Sequence, residues 1–169
     1  MFEQLLDGYF NTFYREHPAD ATHVGLSSGE GRLNPATLTA LRKQQARRRT
    51  ALVKLDSIAP SALSNEQNLD RLAFRARLLR ECEEFDRGRH ELDPTGIDEV
   101  LGFLLKELQR GEDKPKRAAR NIRGLLRDTP RYLGQGARLV KRPERVWRGI
   151  MADSFKASGV FFDAVAGFL

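Results

Sequence analysis

The spacing of apolar residues constrains this chain most strongly, because it repeats every three or four positions in segment after segment. In the opening stretch the apolar residues are Phe2, Leu5, Leu6, Tyr9, Phe10, Phe13 and Tyr14. This spacing puts them on one face of an α-helix. Pro18 disfavours helical backbone at the residue before it, so the sequence predicts a helix from Met1 to His17.

Two longer segments follow with similar spacing and with capping residues at their starts. Asn34 followed by Pro35 predicts the start of a second helix that ends near Asp56, with its polar run RKQQARRR facing water. Ser64 with Gln67 predicts a capping box at the start of a third helix. The inward stripe of this third helix is predicted to be Leu69, Leu72, Ala76 and Leu79, and a break follows at 87–94.

The second half of the chain predicts four more helices. Apolar spacing from Ile97 to Leu108 indicates the fourth, which Gly111 stops. The fifth covers about 114–127. Proline in a first helical turn indicates the start of a sixth at Thr129–Pro130 and of a seventh at Pro143.

The predicted fold class is therefore all-α, a bundle of six or seven mostly antiparallel helices. No segment has the alternation and β-branched residues typical of a strand. Residues 18–36 contain three glycines, two prolines and two serines, which predict one long loop. A length of 169 residues predicts a single helical domain over 1–169.

Composition excludes several protein classes. With 40% hydrophobic and 31% charged residues, the chain is too apolar for intrinsic disorder and too charged for a membrane-embedded protein. No apolar run is long enough to span a bilayer, and the first residues lack the basic leader of a signal peptide. Cys82 is the single cysteine, so no internal disulfide can form. We therefore expect a cytoplasmic protein without a membrane span.

No catalytic or metal-binding residue is predicted. A zinc peptidase helix needs the pattern HExxH, but His90-Glu91 is not followed by a second histidine at the required position. His17 and His23 are two ligands at most, fewer than a closed zinc site needs. Cys82 lies among Glu81, Glu83 and Glu84, which disfavour a reactive thiolate. We expect no catalytic residues, no metal ligands and no cofactor in this chain.

The strongest candidate binding feature is a stripe of arginines. Residues 106–148 hold fourteen Lys or Arg against five Asp or Glu. Within this region Arg117, Arg120, Arg123 and Arg127 share one face of the fifth helix, which suits phosphates or an acidic partner. The region contains two aromatic residues, Tyr132 and Trp147, which disfavours nucleic-acid binding through base stacking. A solvated face is the alternative.

The sequence ends in the apolar stretch GVFFDAVAGFL. Three explanations are open. The remainder of a longer polypeptide or a protein partner covers this helix, the chain self-associates through it, or the helix packs back into its own bundle. The sequence leaves the oligomeric state open.

Four landmarks along the chain carry a family resemblance. The first is an aromatic-rich opening helix followed by HPADATHVG, in which the matching residues are Pro18, Ala21, Thr22 and Gly25. The second is LDSIAPSALSNEQNLDRLAFRARL, in which the matching residues are Leu63, Ser64, Leu69 and Asp70. The third is Asp93-Pro94 with the helix through Leu105.

The fourth landmark is RNIRGLLRDTPRYLGQGARLVKRPERVW, in which the matching residues are Arg123, Pro130, Leu133, Pro143 and Trp147. In this order the landmarks resemble the N-terminal region of the bacterial family called domain of unknown function 885. The family's full-length members look like helical zinc-dependent peptidases whose HExxH helix lies well downstream, and some of them are exported.

The resemblance implies that this chain is the N-terminal portion of a longer zinc-peptidase-like protein. It would be a non-catalytic helical module that walls one side of a substrate cleft, with zinc expected only in the full-length relatives. The residues Pro18, Ala21, Thr22 and Gly25 would form the family-motif loop. The alternatives are a standalone binding module that uses the arginine stripe, or a self-associating structural protein.

Overall fold

The computed structural model describes residues 2–92 and 96–169, and these residues form eight α-helices. They are α1 (Phe2–Glu16), α2 (Pro18–His23), α3 (Leu38–Asp56), α4 (Asn65–Asp86), α5 (Arg89–Leu92), α6 (Gly96–Arg110), α7 (Pro115–Leu139) and α8 (Arg145–Phe168). The predicted all-α class is confirmed, since no strand occurs in the described residues. The Asp93-Pro94 landmark lies outside them. None of the described helices is long and apolar enough to cross a membrane.

The chain divides into two compact units. Unit 1 consists of Met1–Phe13 and Leu38–Arg89, and unit 2 consists of Tyr14–Thr37 and His90–Leu169. Each unit has its own hydrophobic core. The single domain over 1–169 stays a prediction, and the two units are described separately below.

The core of unit 1 forms where α1, α3 and α4 bury one face each. Its buried residues are Phe2, Tyr9, Ala51, Leu55, Ile58, Phe74 and Leu78. The ring of Tyr9 meets the ring of Phe74 edge to face, with centroids 5.0 Å apart. The predicted face of the first helix is confirmed here, because Leu5, Leu6, Phe10 and Phe13 pack against the same cluster.

The capping box predicted at the start of α4 is confirmed. The Gln67 backbone N–H donates to Ser64 Oγ at 3.1 Å, and the Ser64 backbone N–H donates to Gln67 Oε1 at 3.1 Å. These two bonds satisfy donors that the first helical turn would otherwise leave unpaired.

The predicted inward stripe of α4 is wrong. Leu69 and Leu72 are 68% and 53% exposed, whereas Phe74, Leu78 and Cys82 are buried. α4 carries two apolar stripes, and the buried one includes an aromatic side chain that fills the space beside Tyr9. The polar run of α3 also differs from its prediction, because Gln44 and Gln45 are buried. The Gln45 amide donates to the Cys82 carbonyl oxygen and to Asp86.

The core of unit 2 forms between α6, α7 and α8, with Leu33 from the preceding segment. Its buried residues are Leu33, Val100, Leu104, Ile122, Leu125, Tyr132 and Val165. The C-terminal half of α8 belongs to this core, because Phe161, Phe162 and Phe168 pack against it. The explanation that the apolar end packs into its own bundle is therefore supported for these residues.

The long loop predicted over 18–36 is wrong in its first part. Pro18–His23 forms α2, and Ser27–Gly29 forms a short 3₁₀ turn. Pro18 stands at the first turn of α2, where proline costs no hydrogen bond. Asn34 does not cap α3, which begins at Leu38. The Asn34 Oδ1 atom instead accepts a hydrogen bond from the Ala19 N–H at 3.1 Å.

The predicted fifth and sixth helices are one continuous helix, α7, with Pro130 inside it. Thr129 is therefore not an N-cap, and its hydroxyl donates to the Leu125 carbonyl oxygen at 2.9 Å. Proline in a helix interior removes one backbone hydrogen bond. Leu125 precedes Pro130 and Tyr132 follows it, and both are buried in the core of unit 2. The two halves of α7 therefore pack against the same core.

Candidate functional site

Both sets of site residues predicted from sequence lie in unit 2. The segment that follows the first set contacts the helix that carries the second set, at a close approach of two glycines. A side chain on Gly124 of α7 would lie 2.6 Å from the Gly31 carbonyl oxygen, so only glycine lets the two backbones meet there. Gly31 also has φ +70°, a conformation that favours glycine. The segment after α2 therefore lies directly on α7.

Hydrogen bonds fix this segment along α7. The Leu33 backbone N–H donates to Asp128 Oδ2 at 2.9 Å, and the Ala36 N–H donates to Gln135 Oε1 at 3.0 Å. The Arg131 guanidinium bonds the Asp128 carboxylate and holds the pKa of that carboxyl below its ordinary value. The Asp128 carboxylate thus joins the segment to α7 while it is ionised.

The residues of the predicted family-motif loop lie in α2 and in the turn that follows it. Pro18 opens α2, and Ala21 is fully buried. The Thr22 hydroxyl donates to the Pro18 carbonyl oxygen at 2.9 Å, a bond inside its own helix. Gly25 follows α2 with φ +92°, which a residue with a side chain rarely adopts. Thr22 and Gly25 line the cavity described next.

A cavity of about 230 Å³ lies between α2, α6 and α7. Glu107 is a buried lining residue, and its carboxylate accepts hydrogen bonds from Arg110 Nη1 at 2.9 Å and from Asn121 Nδ2 at 3.0 Å. Arg110 Nη2 also donates to the Thr22 carbonyl oxygen at 2.5 Å. These bonds tie α2, α6 and α7 together and use both oxygens of the buried carboxylate.

The predicted arginine stripe is exposed along α7. Arg117 and Arg120 both reach the carboxylate of Glu30, and Arg123 Nη2 donates to the Leu169 carbonyl oxygen at 2.8 Å. In the part of the chain that the structure describes, Arg127 makes no hydrogen bond and no ion pair. The hydrogen bond from Arg117 holds the pKa of Glu30 below its ordinary value, so Glu30 is charged near neutral pH.

Three of these arginines line an open depression of about 540 Å³, which we call the basic groove. Its lining residues are Ser27, Glu30, Gly31, Arg120, Asn121, Arg123, Gly124 and Arg127. Sequence reasoning found the arginines but missed Glu30, Glu107 and Asn121. No sequence signal could have paired Glu30 with Arg117, because the two residues are distant along the chain.

Among the described residues, no group of three or more His, Cys, Asp or Glu side chains is placed to hold a metal ion. His17 is buried, and His23 Nε2 lies 3.2 Å from the Lys106 ammonium nitrogen, a position unsuited to a zinc ligand. Cys82 is buried in unit 1, and burial raises the pKa of its thiol. A thiol with a raised pKa is a poor nucleophile near neutral pH.

The chain matches no known family model, no curated protein and no solved structure. The relationship to the domain of unknown function 885 family therefore stays a prediction.

Proposed function

We propose that this chain is a non-catalytic helical module, the N-terminal portion of a longer zinc-peptidase-like protein. The observation that carries the proposal is the closed polar network around Glu107, whose carboxylate is buried and bonded by Arg110 and Asn121. A carboxylate held in this way has a hydrogen bond on each oxygen and, through Arg110 and its bond to the Thr22 carbonyl oxygen, braces three helices.

The shifts in carboxyl pKa support the same proposal. A catalytic general acid or base works best with a pKa near the operating pH, so a carboxyl group in that role needs a raised pKa. The pKa values of Glu30 and Asp128 are instead lowered by their arginine partners. These groups stay ionised near neutral pH and serve as fixed charges.

Zinc content and peptide hydrolysis test this proposal. The purified chain is dialysed against zinc, freed of excess metal, and assayed by metal analysis and with a mixture of fluorogenic peptides. We expect no stoichiometric zinc and no hydrolysis above buffer. The double variant His17→Ala and His23→Ala is the control for adventitious binding. One retained zinc per chain, with hydrolysis lost on chelation, would contradict the proposal.

A second candidate function is the binding of an acidic partner in the basic groove. Arg120 is 73% exposed and its Nη2 lies 3.5 Å from Glu30 Oε2, which is long for a charge-assisted hydrogen bond. Arg127 has no hydrogen-bond or ion-pair partner among the described residues. Guanidinium groups in this state retain most of their hydrogen-bonding capacity for carboxylate or phosphate oxygens.

The groove candidate predicts salt-sensitive association with polyanions. The triple variant Arg120→Ala, Arg123→Ala and Arg127→Ala should weaken the binding of fluorescent polyglutamate at low salt. Arg148→Ala, which removes an exposed arginine outside the groove, should change it little. Equal binding by all proteins would rule out the groove as the site.

A third role belongs to the outward face of α8, where Val146, Ile150, Phe155 and Val160 are exposed. The remainder of a longer polypeptide, a protein partner or a second copy would cover these side chains. Light scattering over a range of concentrations separates self-association from the other two. The cytoplasmic location stays a prediction.

A further inference from the structure

One carboxylate already lies among the arginines of the basic groove. Glu30 comes from the segment after α2, and its side chain is 13% exposed where it meets Arg117 and Arg120. The pair is therefore formed between two elements of unit 2, not between neighbours on one helix. It demonstrates that the guanidinium groups on this face can converge on a carboxylate.

The spacing along α7 suits more than one carboxylate. An α-helix rises about 1.5 Å per residue, so Arg120 and Arg127 lie roughly 10 Å apart along its axis. A polyproline II segment advances about 3.1 Å per residue with three residues per turn, so acidic residues three positions apart lie on one face and are separated by roughly 9 Å. An extended acidic segment in the polyproline II conformation can therefore place one carboxylate near each arginine.

The lining of the groove distinguishes an acidic peptide from nucleic acid. Its side chains are Ser27, Glu30, Asn121 and three arginines, with glycine at the other positions and no aromatic ring among them. Proteins that bind single strands generally stack bases on aromatic side chains. A carboxylate-bearing partner needs no such surface, because charge-assisted hydrogen bonds from arginine suffice.

Building on the second candidate function, we propose that the basic groove binds an extended acidic peptide and that Glu30 is the chain's own competing carboxylate. Glu30 holds Arg117 and part of the hydrogen-bonding capacity of Arg120. An incoming acidic side chain must share or replace that contact. Neutralising Glu30 removes both the competition and the repulsion between like charges.

Fluorescence anisotropy with a short labelled polyglutamate peptide tests the proposal at low salt. Glu30→Gln keeps the size of the side chain and should tighten binding by roughly fivefold, a change within the range of exposed ion pairs. Arg127→Ala should weaken binding by a similar factor, while Arg148→Ala should not change it. Circular dichroism establishes that each variant is folded. Arg127→Ala removes no hydrogen bond or ion pair of the described residues, so it still tests the site if Glu30→Gln does not fold.

The outcomes separate this proposal from the function on which it rests. If polyglutamate binds neither the wild type nor Glu30→Gln, the binding function fails. If it binds and Arg127→Ala weakens it, but Glu30→Gln leaves the affinity unchanged, only the role of Glu30 fails. Tighter binding of an oligothymidylate of equal charge than of polyglutamate would overturn the choice of an acidic peptide.

Discussion

At the scale of single residues, unit 2 depends on buried or half-buried charges that have partners. The Glu107 carboxylate is the most enclosed of them, and it meets Arg110 from its own helix and Asn121 from α7. A buried charge is tolerated when hydrogen bonds replace the water it has lost. Removing one member leaves the others without that compensation.

We therefore expect Glu107→Ala to lower the free energy of unfolding by about 2 kcal/mol, because Arg110 and Asn121 lose their shared acceptor. Urea denaturation followed by circular dichroism measures the change. Glu112→Ala is the matched control, since Glu112 is exposed and should alter stability by less than about 0.5 kcal/mol. Equal effects of the two variants would show that the buried network contributes nothing.

The bond between Asp128 and the segment after α2 predicts a dependence of stability on pH. Because the pKa of Asp128 is lowered in the folded protein, its stabilising contribution is present above the ordinary value of 3.8. This contribution is lost as the pH falls below 3.8 and then through the lower pKa that Asp128 has in the folded protein. Asp128→Asn keeps an acceptor for the Leu33 N–H but cannot titrate.

Unfolding curves recorded between neutral and strongly acidic pH check this expectation. The wild type should lose more stability in the acidic range than Asp128→Asn does, with the two proteins converging at the lowest pH. Part of the acid sensitivity remains in the variant, because Glu30 and Glu91 also have lowered pKa values. An equal loss of stability in both proteins would show that Asp128 does not contribute to the acid sensitivity.

At the scale of elements, α7 organises unit 2. One face of this helix contributes Ile122 and Leu125 to the core, another carries the arginines, and Gly124 receives the backbone of Gly31. A break at Pro130 would have separated the arginines from Gln135, which bonds the Ala36 N–H. The continuity of α7 therefore positions the segment that borders the basic groove.

Two glycines of α7 give predictions of opposite sign. Gly124→Ala should destabilise the protein by about 2 kcal/mol, because the new methyl group would lie 2.6 Å from the Gly31 oxygen. Gly134→Ala meets no atom within 4 Å and should stabilise it by about 0.5–1 kcal/mol through helix propensity. Thermal unfolding of both variants measures the difference. Stabilisation by both would mean that Gly31 does not contact α7.

At the scale of the whole molecule, two hydrophobic cores stabilise the chain. Leu78 in unit 1 and Leu104 in unit 2 are both fully buried, and each lies within the contact cluster of its own unit. Aromatic side chains contribute to both cores, through Tyr9 and Phe74 in unit 1 and through Tyr132 with phenylalanines from α8 in unit 2.

Truncation of either core should be costly. We expect Leu78→Ala and Leu104→Ala each to lower the free energy of unfolding of their unit by about 2–5 kcal/mol, the usual range for a buried leucine. Leu69→Ala, on the exposed stripe of α4, should cost less than about 1 kcal/mol. Hydrogen exchange of the backbone amides in α4 measures the stability of unit 1, and exchange in α6 measures that of unit 2. A larger effect at Leu69 than at Leu78 would contradict the orientation of α4.

Much of the fold could be predicted from local sequence. The capping box at Ser64 and the buried positions of α1 and α6 follow from interactions within one or two helical turns. Of the candidate site, the exposed arginines were predictable because their spacing is a property of one helix. Glu30 was not, since its partners lie on an element far along the chain.

The sequence by itself determined that the chain is helical, approximately where most of its long helices begin and end, and that α7 carries a basic face. Tertiary structure alone decided which stripe of α4 is buried, whether α7 continues through Pro130, and which carboxylate meets the arginines. The physical reason is the range of the interactions. Caps and periodicity act between near neighbours, whereas burial and ion pairing depend on residues brought together from distant parts of the chain.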